Sequence, residues 1–171
     1  MKLYPLVFGP HGGLVAGNGF IAHVLIRGRC LLEETGDDFV SILGVNPGAV
    51  AGDGGNSGEA YHDFLERVRL IVFDLADEAD GFEAFEKSVR QFVHQTNPPN
   101  ETLWKAAVER VRAGEVDLEG VRREDADSAF GVQVELVRDD AAGEGKPKQP
   151  LRSSLNEPAV TQDDFKIAAG F

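Results

Sequence analysis

Cysteine occurs once, at Cys30, so the chain can form neither an internal disulfide nor a cysteine-based zinc site. A reducing compartment fits that usage. Positive charge is also scarce. Against 29 Asp and Glu stand 17 Lys and Arg, a formal net charge of -12. No segment is basic, which disfavours direct binding to the phosphate backbone of DNA or RNA. No apolar run approaches the roughly 20 residues of a membrane-spanning helix, so no membrane association is expected. The opening Met1-Lys2-Leu3-Tyr4-Pro5 lacks the apolar run and small-residue cleavage site of a secretory signal. The expected location is the cytoplasm.

The 171 residues are 42% hydrophobic, enough for one domain with a real core. Residues 1–19 read as a short apolar strand, Leu6-Val7-Phe8, and then turns at Gly9, Gly12, Gly13, Gly17 and Gly19. Residues 20–33 read as a long strand around Phe20–Ile26. The turn Glu34–Asp38 leads to a second strand, Phe39–Val45, and the two form an antiparallel hairpin. Asn46-Pro47-Gly48 reverses the chain, and Ala49–Ala51 forms a short third strand.

A helix begins at Asn56 or Ser57, with Glu59 at capping-box spacing from Asn56. Tyr61, Phe64, Leu65, Val68, Ile71, Val72 and Leu75 form its apolar stripe. Gly81 interrupts it, and a second helical piece follows with Phe82, Phe85, Val89, Phe92 and Val93 on one face. After Asn97-Pro98-Pro99, Asn100 caps a third helix that ends at Gly114. Phe130, Val132, Val134 and Leu136 alternate as one face of a final strand.

Strands followed by helices predict an α+β fold. The expected form is a mainly antiparallel sheet of three to four strands with helices packed on one face. One domain spans residues 1–138, with a helical insertion at about 97–128. Residues 139–171 read as a linker and tail.

The run Asp38–Gly54 with its Asn46-Pro47-Gly48 turn, leading into Ser57-Gly58-Glu59-Ala60, resembles the HicB-type antitoxins. So does the opening Met1–Pro5. The match covers about residues 20–95 and departs from the family in three ways. The loop Asp53–Asn56 is longer, a third helix is added, and no DNA-binding helical module follows the last strand. The resemblance implies a degraded RNase H-like fold, often oligomeric, that neutralises a small basic RNase toxin.

Chemistry is sparse. An RNase H-type nuclease needs carboxylates around two metal ions, the first inside the leading central strand, where this chain carries His23. The loop Gly52–Gly58 sits where phosphate loops occur, but it lacks the following Lys-Ser/Thr pair, and Ser57 replaces the third glycine of a dinucleotide fingerprint. An EF-hand register on Gly81 would put Ala76 and Lys87 at ligand positions. His11, His23, His62 and His94 are scattered, and no serine sits in a nucleophile elbow.

The expectation is therefore a non-catalytic binding protein with no cofactor or metal. It would engage a small basic protein and associate with itself. The alternatives are a phosphorylated-ligand or enzymatic domain using Gly52–Gly58, and an assembly protein. Candidate contact residues are the acids Asp77, Glu78 and Asp80 near Gly81 and the apolar Phe165, Ile167 and Phe171. The last three would dock on a partner, fold back onto the domain or belong to an inert tail.

Overall fold

The protein, seen in a computed structural model, is described over residues 1–36, 38–140 and 165–169. Its strands are β1 (Lys2–Gly17), β2 (Phe20–Gly36), β3 (Phe39–Asn46), β4 (Ala51–Gly54), β5 (Arg123–Asp125), β6 (Gly131–Asp139) and β7 (Phe165–Ala169). Its helices are α1 (Ser57–Glu78), α2 (Phe82–His94) and α3 (Pro98–Arg112). The fold is α+β, with one seven-stranded sheet in the order β4-β3-β2-β1-β7-β5 and β6 attached to β2. β2 serves two partners along one edge, pairing Phe20–Arg27 with β6 and Arg29–Gly36 with β3. Every pairing is antiparallel except that of β5 with β7.

The sheet is larger than the three to four strands expected, for two reasons. The first is glycine used inside strands. β1 continues through its glycines because β2 presses against them, and a Cβ on Gly12 would stand 1.9 Å from the Val24 carbonyl oxygen. β4 likewise runs over Ala51–Gly54, since α1 lies directly on it, and a Cβ on Gly52 would stand 2.3 Å from the Phe64 nitrogen. The second reason is length. β5 and β7 have 3 and 5 residues, too few for alternation to show.

The helices are not confined to one face. Tyr4, Leu6 and Phe8 of β1 join α1 and α2 in the main core with Cys30, Leu32 and Ile42. Their alternates Leu3, Val7, Leu31 and Val45 meet Trp104, Ala107 and Val108 of α3 in a second, smaller core. Successive strand residues point to opposite faces, so α3 covers the face opposite α1 and α2. Only Trp104, Ala107, Val108 and Val111 of α3 are buried, a stripe that sequence alone could place on either side.

The start of α3 also differs from expectation. Asn97, not Asn100, is the cap: its Oδ1 accepts from the Asn100 backbone N–H at 3.1 Å, while Pro98 and Pro99 fill the first helical positions. Asn100 instead donates its side-chain amide to the Gly44 carbonyl at 2.8 Å. The β3–β4 turn is tied to the α2–α3 link by Gly48 N–H to Gln95 O at 2.8 Å and Asn97 N–H to Val45 O at 3.2 Å.

Residues 165–169, expected in a tail, are a strand in the interior of the sheet. β7 lies between β1 and β5, pairing Leu6 with Ile167 and Arg123 with Ile167. Ile167 is fully buried in the main core and Ala168 in the smaller one. Burying an isoleucine side chain contributes about 1.5–3 kcal/mol, so among the described side chains of β7 Ile167 is the large anchor.

Candidate interaction surface

The loop before α1 follows from the capping pattern. Asn56 Oδ1 accepts from Glu59 N–H at 2.9 Å, and Glu59 Oε2 accepts from Gly55 N–H at 3.0 Å. Asp63, one turn further on, accepts from Asp53 N–H at 3.0 Å and from Arg67 Nε at 2.9 Å. These hydrogen bonds, the backbone one first, hold the Asp63 carboxyl below its ordinary range. Two backbone donors that a phosphate in Gly52–Gly58 would use are thus already taken by carboxylates. Those carboxylates would also repel the phosphate.

His23 occupies the middle of β2, paired across to Leu14 on one side and Glu135 on the other. Ala22 and Val24 enter the main core, so His23 points to the opposite face, between Ile21 and Leu25. Among the described residues, no group of three or more His, Cys, Asp or Glu is placed to hold a metal ion. Cys30 is fully buried, and burial pushes its thiol well above the ordinary value. A thiol-reactive dye is expected to leave native protein unlabelled over minutes and to label one site per chain in concentrated guanidinium. Rapid labelling of the native chain would show that β2 is open.

The predicted acids Asp77, Glu78 and Asp80 are all exposed at the junction of α1 and α2. Asp77 and Glu78 close the last turn of α1, which carries no basic residue. Carboxylates there lie at the negative end of the helix dipole, where cations are favoured. The junction is braced from the β1–β2 turn, where Asn18 donates its amide to the carbonyls of Asp77 at 2.9 Å and Ala79 at 3.1 Å.

Of the apolar candidates, Ile167 does not join this surface. Ile167 lies in the core as described, and Phe165 opens β7 opposite Phe8. Phe171 lies outside the described residues.

A polar node went unread in the sequence. Arg29, on β2, lies over the Trp104 ring at 5.1 Å and the Phe130 ring at 4.5 Å. Its Nη2 sits 3.5 Å from Glu101 Oε1, and both Nε and Nη2 donate to Asn46 Oδ1, the former at 3.0 Å. Asn46, fully buried, donates in turn to Thr96 Oγ1 at 2.8 Å. Burial lowers the Arg29 pKa and Glu101 opposes that shift. The sole signal in the sequence was a cation in an apolar strand. The node joins β2, β3 and α3 and reads as structural.

A second ion cluster holds the C-terminal strand. Glu124 of β5 receives Arg27 Nη2 on Oε1 and Lys166 Nζ on Oε2, each at 2.6 Å. Lys166 first, and Arg27 with it, keeps the Glu124 carboxyl below its ordinary range.

No described helix is long and apolar enough to cross a membrane. Compared with protein-family models, curated proteins and solved structures, the chain matches none of them.

Proposed function

We propose that this chain is a non-catalytic binding protein of antitoxin-like type that neutralises a small basic protein. The acidic junction of α1 and α2 would serve as its contact surface. The observation that carries the reading is the joint exposure of Asp77, Glu78 and Asp80 at the junction of α1 and α2. The overall charge of -12 draws a cationic partner in from a distance. The Pro47-Gly48 turn leading through a short strand to the capped helix is the pattern shared with HicB-type antitoxins.

The test is capture from the native host at low and high salt. The wild-type chain is expected to retain a small basic protein at low salt and release it at high salt. The triple variant Asp77→Asn, Glu78→Gln, Asp80→Asn is expected to lose it by at least tenfold. Equal retention by the two chains would end this reading.

A further inference from the structure

We infer that the slot between β1 and β5 is a strand-accepting site, occupied by the chain's own β7, that takes an extended segment of a basic partner in its place. The slot is built by elements remote in sequence from the strand it holds. β1 offers Leu6–Phe8 as the pairing edge on one side, and β5 offers Arg123–Asp125 in parallel on the other. Backbone pairing accepts any extended chain, so the side-chain sites set what fits.

Those sites alternate with the strand. Position 167 drops into the main core and must be apolar, while position 168 meets the α3 face beside Trp104 and Val108 and is alanine here. Position 166 lies beside Glu124, whose Oε1 is engaged by Arg27 while Oε2 receives the incoming cation. The slot therefore reads a cation, a branched aliphatic and a small residue in succession.

β7 is suited to leave. It makes 3 pairings with β1 and 3 with β5, and among its described side chains only Ile167 is a large anchor. A strand of 5 residues can open without global unfolding of the domain. The 25 residues between Asp139 and Phe165 can reach at most about 85 Å. The straight span from the β1–β2 turn to Phe8 is about 30 Å. β7 can thus leave the slot without pulling β6 away from β2.

A basic partner is the occupant chosen because Glu124 selects a cation and the host chain carries -12. For the source of that strand the inference rests on the binding function proposed above, whereas the slot itself can be tested without any partner. The probe is a fluorescein-labelled peptide of residues 163–171, followed by anisotropy against the full chain. Intact chain is expected to bind it weakly, because the tethered β7 competes at high effective concentration. Ile167→Asp in the full chain is expected to vacate the slot and raise peptide affinity at least tenfold. Should that variant not fold, Lys166→Glu, which sets a carboxylate against Glu124, is expected to give the same direction. Peptides carrying Lys166→Glu or Ile167→Asp are expected to bind the vacated chain at least tenfold more weakly than the parent peptide.

Equal peptide binding by intact and vacated chains, or none to either, overturns the slot. Light scattering that shows an intact-chain dimer abolished by Ile167→Asp overturns the partner assignment, because a second copy then fills the slot. The Asp77→Asn, Glu78→Gln, Asp80→Asn chain is expected to bind the peptide unchanged. Failure here therefore stands apart from failure of the acidic surface.

Discussion

Phe64→Ala is expected to lower unfolding free energy by about 4 kcal/mol and the midpoint of thermal unfolding by about 10 °C. Phe64 is fully buried on α1, in edge-to-face contact with Phe8 at 5.3 Å between ring centroids. Its backbone is equally hemmed in, since the Phe64 nitrogen lies against Gly52. α1 therefore cannot slide to refill the space, and a residual cavity adds to the lost transfer energy. Leu70→Ala is the control on the same helix. Leu70 is 49% exposed, and its loss is expected to stay within about 0.5 kcal/mol. Urea unfolding followed by circular dichroism measures both. A Phe64→Ala cost under about 1.5 kcal/mol would mean that α1 is not seated on β4 as described.

Arg29→Ala is expected to cost about 3 kcal/mol, more than the loss of a surface ion pair. The substitution strips the guanidinium from between Trp104 and Phe130 and leaves Asn46 Oδ1 buried without its donors. Arg29→Lys is expected to recover under half of the loss, because an ammonium neither stacks flat on the rings nor donates twice to one oxygen. Glu101→Gln, which weakens the 3.5 Å contact with Arg29 and the 3.3 Å ion pair with Lys105, is expected to cost less than about 1 kcal/mol. Trp104 is the single tryptophan, so its emission reports on the node directly. An Arg29→Ala chain with unchanged emission and stability would show that the node holds nothing together.

The sequence was most informative where elements are long and periodic. The 22 residues of α1 announced themselves through the stripe from Tyr61 to Leu75 and the Asn56 cap, and the β2–β3 hairpin through its apolar runs. It was least informative where one residue type has two physical uses. Gly12 and Gly52 read as turns, yet each is a place where backbone meets backbone. Asn97 and Asn100 are both good caps, and only the position of Gly44 decides which of them caps α3. The face taken by α3 depends on β1 and β2 burying apolar side chains on both sides, as Leu6 and Val7 do. Asp77, Glu78 and Asp80 were legible as a group because a run of acids around a glycine is visible without coordinates. The Arg29 node was not, since its members come from four distant parts of the chain. Ile167 looked available because nothing near it in sequence hides it, whereas its neighbour in space is Leu6.

The pairing of Leu6 with Ile167 also sets an order of events during synthesis. The first strand leaves the ribosome early, but the neighbour that seals its outer edge emerges about 160 residues later, roughly 8–30 s at ordinary translation rates. Throughout that interval a nascent chain shows a bare row of amides and carbonyls beside Leu6, Val7 and Phe8. A product arrested before residue 165 never covers it. Chaperones or proteases that recognise open β edges can thereby sort chains whose β1 edge is covered from those whose edge is still bare.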